Sequence, residues 1–374
     1  MSALALMDIS KRFGKQTVLE DVSFDVAPGE IVALVGSSGA GKSTILKIAA
    51  GIERPTSGTV LIGGQDVARR RAWKRQTAMV FESYVLYPLL SVRENIAFPL
   101  RAPAVRARYS DAEVDRRVLE IAQICQIDDL LERRPLELSG GQRQRVALCR
   151  ALVRDPAAYL MDEPIAHLDA KLRHWLRGEL RRLLSAREVP TIWVTPDGVE
   201  SMAIADRIAV LVDRKIVQLG TPREIYGSPA TIGVARLLGD LGMNILDART
   251  EEGGGLVLDG AEHQPLFVSN GSGRLPAGPA KVGIRPAALR LRSEPGPTAI
   301  AAEVIGTESG SRQSVVIVRV GADQSTKVVA EKGELPQVGQ RVYIDWEHAP
   351  VHVFSPEGGR RSTGRVHGGS NEAG

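Results

Sequence analysis

Nine residues from Gly36 to Thr44, GSSGAGKST, hold the densest potential for chemistry in the chain. They match the pattern Gly, four residues, Gly, Lys, Ser/Thr, with the β-branched run Ile31 to Val35 before them and the apolar-periodic stretch Ile45 to Ala50 after them. Glycines at such spacing let successive backbone N–H groups turn inward onto phosphate oxygens. Lys42 supplies a point charge to terminal phosphates, and the Ser43 hydroxyl can ligate Mg²⁺. Gly36, Ser37, Gly39, Ala40, Gly41, Lys42, Ser43 and Thr44 therefore form a candidate phosphate cradle. The alternative, a Gly-rich turn that only joins a strand to a helix, does not account for both flanks and the Lys-Ser pair together.

Two further clusters carry matching chemistry. The apolar run Ala157 to Met161 ends in Asp162-Glu163, where one carboxylate can hold Mg²⁺ through water and the next can take a proton from an attacking water. Two solvated loop acids are the bland alternative. The segment LSGGQ, Leu138 to Gln142, opens a helix that runs through Val146, Cys149 and Leu152. Two glycines at a helix start leave N–H groups free for an anion, and Ser139 can add a hydrogen bond.

The elements that must position these groups alternate between strand and helix. Short alternating runs at Ala3 to Ile9 and Val22 to Val26, joined by a turn near Gly14, predict antiparallel strands. Phe13 beside that turn either fills core or stacks on a base. Thr59 to Ile62, Thr191 to Thr195, Arg207 to Val212 and Lys215 to Leu219 read as further strands. Apolar spacings of three and four from Val92 to Leu152 predict a helical insertion at about 86–152. The basic cluster Arg69, Arg70, Arg71, Lys74 and Arg75 reads as a solvated face. A mostly parallel sheet covered on both faces follows.

At 374 residues the chain exceeds one comfortable core and predicts two domains. The net charge of +4 is spread along the sequence, which argues against a nucleic-acid stripe. Only Cys125 and Cys149 are present, so a disulfide framework is not expected. No apolar run approaches the roughly 18 residues of a membrane span, and the N-terminus lacks a signal-peptide pattern. The expectation is a soluble, cytosolic chain whose partner need not be soluble. Late alternating runs at Ser314 to Val320 and Gln340 to Ile344 read as a small antiparallel barrel, and the Gly, Ser and Arg composition from Glu357 onward reads as a disordered tail at 357–374.

From about Ala3 to about Ser355 the chain resembles the ATP-binding subunits of ABC transporters. Gly36 to Thr44 match Walker A, Leu138 to Gln142 the signature, Tyr159 to Glu163 Walker B and Ala166 to Asp169 the D-loop. FESYVLYPLLSVRENIAFPL (Phe81 to Leu100), TPREIYGSPAT (Thr221 to Thr231) and VGIRPAALRL (Val282 to Leu291) resemble the ATPases of maltose-type sugar and glycerol-phosphate importers. The resemblance implies an α/β P-loop ATPase domain at 1–236 and an OB-like regulatory domain at 237–356. It also implies ATP and Mg²⁺ as cofactors, with Ser43, Glu82 and Asp162 toward the metal, Glu163, Glu82 and Asp162 in catalysis, and Phe13 on the base.

The same resemblance implies a head-to-tail dimer, in which Ser139, Gly140, Gly141 and Gln142 serve the partner's nucleotide in trans. Two membrane permease subunits and an extracytoplasmic solute-binding protein complete the expected assembly, at the cytoplasmic face of the membrane. Three positions depart from the family pattern. Glu82 stands in the place of the Q-loop glutamine, Ala166 in that of a common D-loop serine, and Pro196 in that of the switch histidine. Proline has neither a side-chain donor nor an N–H. A hydrogen bond to a charged group is worth roughly 1.5 to 3 kcal/mol, so its loss in the transition state lowers the rate roughly 10- to 150-fold.

The sequence therefore predicts slow hydrolysis at this chain's own pocket and pairing with a second, unaltered ATPase. Two alternatives stay open: a nucleotide-gated subunit that never turns over, and an ordinary homodimeric ATPase that tolerates the changes. A soluble ABC protein acting on DNA or ribosomes resembles tandem chains or chains with long coiled coils, neither of which is visible here.

Overall fold

The first strands are drawn together by alternation. In the computed structural model, which describes residues 3–103, 105–251, 255–259, 266–269, 277–310, 313–321, 323–330 and 335–367, the chain divides into two units, Met1–Pro222 and Arg223–Gly374. The first contains β1 (Leu4–Phe13), β2 (Gln16–Val26), β3 (Ile31–Val35), α1 (Lys42–Ala50), β4 (Ser57–Ile62), β5 (Gln65–Asp66) and β6 (Thr77–Val80). It continues with α2 (Val92–Ala97), α3 (Asp111–Ile124), α4 (Gly140–Leu152), β7 (Ala158–Asp162), α5 (Ala170–Ala186), β8 (Thr191–Thr195), α6 (Gly198–Ile204), β9 (Arg207–Val212) and β10 (Lys215–Gly220).

β1 and β2 form the expected hairpin and join β4 and β5 in an antiparallel sheet ordered β2-β1-β4-β5. A six-stranded sheet, β10-β9-β3-β8-β7-β6, is parallel except at its β10 edge. Every residue of β3, β7 and β8 is buried, which is why these strands read as unbroken apolar runs: helices or the second sheet cover both faces. Parallel register aligns Val35 with Thr195, Asp162 with Val194, and Val80 with Met161. The phosphate cradle, the paired acids, the segment from Phe81 and the turn at Pro196 consequently leave the sheet at the same edge, the carboxyl end where ligands of open α/β sheets bind.

The helical insertion has the predicted face. Val114, Val118, Ile121 and Ala122 of α3 are buried, and Ser110 caps its first turn by accepting from the Glu113 N–H at 3.3 Å. Cys125 and Cys149 are buried free thiols. The reading of the basic cluster as a solvated face fails at Arg75, which is 3% exposed. Its guanidinium donates to the carbonyls of Ile48 and Ala49 in the last turn of α1 and to those of Ala68 and Arg70. These bonds satisfy helix-end acceptors that have no partner within the helix.

The second unit opens with α7 (Pro222–Gly227) and α8 (Ile232–Leu237). β11 (Asn244–Thr250), β12 (Gly255–Leu258), β13 (Leu266–Ser269) and β14 (Gly278–Ile284) follow, then β15 (Arg290–Arg292), β16 (Ala299–Ser309), β17 (Ser314–Val320), β18 (Gln324–Ala330), β19 (Arg341–Asp345), β20 (Pro350–Phe354) and β21 (Arg360–His367). The structure contains more than the one barrel expected: a closed barrel β11-β12-β13-β21-β20-β14 and a five-stranded sheet β15-β19-β16-β17-β18, which share one core through Val282, Val316, Ile344 and Trp346. The unit also begins upstream of the boundary expected at residue 236. Buried Arg285 explains this, because it donates to the carbonyls of Tyr226, Ala235 and Leu238 and ties both short helices to the strands.

The tail reading is corrected as well. Residues 360–367 form β21, paired with both β13 and β20, with Val366 fully buried. Ladder bonds on both sides stabilise a strand whose Gly, Ser and Arg composition gives little apolar signal; residues 368–374 lie outside the described set.

His352 on β20 is buried and shares a 3.0 Å hydrogen bond between Nδ1 and the Thr363 hydroxyl. Burial, with Arg285 and Arg360 nearby, pushes its pKa down to about 4 from 6.5. The unfolded chain therefore takes up this proton first as the pH falls. Stability is lost from pH 6.5 toward pH 4, by an amount on the order of 2–3 kcal/mol. His352→Gln should flatten that part of the acid limb, as read by denaturant melts of parent and variant across the window; parallel pH dependences would refute the assignment.

Candidate functional site

The cradle is held open by contacts that a larger residue would break. A Cβ on Gly36 would lie 2.5 Å from the Leu211 carbonyl, and one on Gly41 would lie 2.8 Å from Leu19 Cδ2. Gly41 also has φ 107, a conformation that side chains rarely adopt. No side chain caps the N-terminus of α1, so the N–H groups there keep their capacity for an anion. Lys42, 6% exposed, donates from Nζ to the carbonyls of Gly36 and Ser37, each at 2.9 Å. Burial pushes its ammonium below the ordinary range, opposed by Glu163, Asp162 and Glu82. These features fit a polyphosphate, whose charge would offset the desolvation of Lys42.

The acids behave as a set. Ser43 Oγ donates to Asp162 Oδ1 at 3.1 Å, which brings together the hydroxyl and carboxylate expected to face Mg²⁺. Burial first, and then the Glu82 charge, raise the Asp162 pKa, against the Ser43 hydrogen bond and the Lys47 and Lys42 charges. Glu163 is raised by burial, then by Glu82 and Asp162, with Lys42 and His167 opposing. A carboxylate raised in this way is a better proton acceptor. Glu163 sits at φ 47, which for a side-chain residue costs roughly 1–2 kcal/mol. Its N–H donates to the Val194 carbonyl at 3.0 Å, and its own carbonyl accepts from Gln144 Nε2 at 3.1 Å.

Glu82 is exposed and near enough to bias all three partners, so the structure gathers Lys42, Ser43, Glu82, Asp162 and Glu163. Pro196 is exposed at the end of β8, followed by Asp197, whose carboxylate caps α6. Phe13 is 46% exposed beside Lys11, with Nζ 4.5 Å from its ring centroid, so the core alternative is excluded. Ser139 and Gln142 form a capping box on α4, the Ser139 N–H donating to Gln142 Oε1 at 2.8 Å and the Gln142 N–H to Ser139 Oγ at 3.3 Å. The space a Gly140 side chain would occupy is open. Among the described residues no hydrogen bond joins Ser139 to Gln142 with the cradle.

Three contributors were missed in the sequence. Buried Gln144 bonds both the Glu163 carbonyl and the His167 N–H; Arg173 donates to the Ala166 and Leu168 carbonyls; and the charge of His167 acts on Glu163. His167 Nδ1 lies 2.5 Å from the Tyr84 hydroxyl, with the two rings edge to face at 5.7 Å. Burial, helped by Glu163, Glu82 and Asp162, pushes the Tyr84 pKa up to about 12. The hydroxyl therefore stays protonated at neutral pH and can donate to His167 Nδ1.

Beside the site lies an apolar groove of about 1020 Å³, lined in part by Trp73, Met79, Tyr87, Phe98, Leu100 and Val105. Trp73 is 70% and Leu89 81% exposed, while Tyr87 packs on Phe98 at 4.3 Å. Fully buried Asn95 shapes this surface, accepting from the Tyr87 N–H and donating to the carbonyls of Tyr87, Leu90 and Ser91.

A parallel sheet with this cradle, acid pair and capped glycine-rich helix defines an ATP-binding cassette, and the chain belongs to the ABC transporter family, whose model matches residues 19–166. A TOBE domain model matches residues 282–354. The sn-glycerol-3-phosphate import ATP-binding protein UgpC of Escherichia coli is 40% identical over 368 residues, covering 96% of this chain and all of the relative. An uncharacterized ABC transporter ATP-binding protein, y4oS, of Sinorhizobium fredii is 38% identical over 97% of this chain and 96% of its own length. The structure of the cassette MJ0796, a dimer in a post-hydrolysis state bound to ADP and Pi, aligns with TM-score 0.54 at 29% identity over 59% of this chain and 99% of that one. The chain is thus an importer-type transport ATPase subunit with a C-terminal all-β TOBE domain.

Proposed function

We propose that this chain drives uptake of a sugar, a polyol or a polyol phosphate by hydrolysing MgATP on the cytoplasmic face of a membrane. The observation that carries this reading is likeness along nearly the whole chain, TOBE domain included, to sn-glycerol-3-phosphate import ATP-binding proteins. ATP supplies the transferable γ-phosphoryl group. Backbone N–H groups of the cradle and Lys42 hold its phosphates, Ser43, Asp162 and Glu82 hold Mg²⁺, and Glu163 takes the proton of the lytic water. Phe13, exposed at its hairpin tip, stacks on the base. The test is reconstitution with its permease pair and solute-binding protein: loaded binding protein should stimulate ATP turnover. Failure of every sugar, polyol and polyol phosphate to do so would refute the solute class.

The groove beside Tyr87 receives a helix of the permease. Its exposed rings and Leu89 are apolar in a way that a soluble surface rarely leaves uncovered. Charged substitutions at Tyr87 and Leu89 should cut permease co-purification by about tenfold or more while the soluble chain melts normally, since central apolar anchors dominate interface energy. An intact complex carrying both changes would move the docking site elsewhere. Its dimer partner is a second, unaltered ATPase, a pairing supported by the charge at Glu82 and the missing donor at Pro196.

A further inference from the structure

We propose that His167 is a positioning residue for hydrolysis, joining the segment that lines the groove to the backbone of Glu163 through Tyr84 and Gln144. This rests on reading Glu163 as the proton acceptor. The connection is continuous. The Tyr84 hydroxyl meets the His167 ring at 2.5 Å, the His167 N–H donates to Gln144 Oε1 at 3.2 Å, and Gln144 Nε2 donates to the Glu163 carbonyl at 3.1 Å. Both ends of the fully buried Gln144 amide are used in this way, so neither hydrogen bond can be exchanged for water without a cost.

The two ends of the connection are also its two strained points. Tyr84 has φ 43 and Glu163 φ 47, conformations that persist only where surrounding contacts fix them. For Glu163 those contacts are the Val194 carbonyl and Gln144. For Tyr84 they are a turn bond from its N–H to the Phe81 carbonyl at 3.2 Å and the histidine. Three residues beyond Tyr84, Tyr87 lines the groove and is clamped by Asn95. A shift of this short segment on docking would therefore reach Glu163 by way of His167, and not only through Glu82.

The experiment compares Tyr84→Phe, His167→Ala, the double variant and His167→Gln in the full chain, with MgATP turnover, KM and amide exchange of residues 163–169 as readouts. Loss of the hydrogen bond should lower kcat by about tenfold at unchanged KM in each single variant. The double variant should be no worse than the poorer single one, because both remove the same bond. His167→Gln should recover most of the rate, its amide oxygen accepting from Tyr84. Exchange at residues 163–169 should rise in Tyr84→Phe and in His167→Ala and stay near the parent's in His167→Gln. Additive losses, rates within about twofold of the parent in both single variants, or unchanged exchange would overturn the proposal. Unaltered turnover in Glu163→Gln would instead overturn the role given to Glu163, while exchange would still report on the Tyr84–His167 bond.

Discussion

Lys42→Ala should abolish MgATP binding by the full chain. The ammonium is nearly buried and already fixed by two carbonyls of its own loop, so it meets phosphate without first being ordered. Charge-assisted contacts of this kind are worth roughly 1.5–3 kcal/mol each, and the one N–H that the two loop carbonyls leave for a terminal phosphate puts the loss at about 10- to 150-fold before the charge of the pocket is counted. Glu82, Asp162 and Glu163 deepen it, because without Lys42 the pocket presents three carboxylates to a polyanion. Calorimetric titration of MgATP into the purified variant measures the effect, and a melt without nucleotide shows that the fold survives. Undiminished affinity would remove the cradle from the ATP site.

Much of the site was legible because its chemistry is local in sequence. The cradle from Gly36 to Thr44 and the acids at Asp162-Glu163 are each one continuous run, and the parallel sheet needs only buried apolar strands to bring them to one edge. Side chains that act over long separations gave no such signal. Gln144 sits in a helix whose periodicity speaks only of packing, yet its amide holds Glu163. His167 gave no signal of its own, since its contact with Tyr84 spans 83 residues. Arg75 was hidden by its basic neighbours, since a run of like charges reads as solvated whatever one member does.

The C-terminal unit was legible as β-structure and less so in its extent. Alternation found β17 and β19, whereas β21 carries glycine, serine and arginine between few apolar residues and is stabilised by pairing on both sides. The early start of the unit depends on Arg285, far along the chain from the carbonyls of Tyr226 and Ala235 that it satisfies. Periodicity within a window reports neither kind of contact.

In the assembled transporter, Ser139→Arg should stop transport almost entirely, whereas Glu163→Gln should do much less. Ser139 opens α4 at an exposed turn where Gly140 leaves open space, the side expected to face nucleotide held by the partner. An arginine there fills that space and removes the Ser139 cap. Cap loss alone costs about 1 kcal/mol, too little to unfold a helix that buries Val146, Leu148, Cys149 and Leu152. The block would therefore fall on the partner's pocket, which on the proposed pairing is the fast one. On the same proposal Glu163 serves the slow pocket, in which Glu82 adds negative charge and Pro196 supplies no donor, so its loss should cost little. Glu82→Gln combined with Pro196→His should raise turnover at this pocket about tenfold or more, the factor expected of one recovered hydrogen bond to the transition state. Solute-stimulated ATPase rate and transport in reconstituted membranes measure all three variants. Should Glu163→Gln prove as damaging as Ser139→Arg, this pocket hydrolyses ATP productively, the two sites are equal, and a homodimer that works with proline at residue 196 takes the place of the unlike pair.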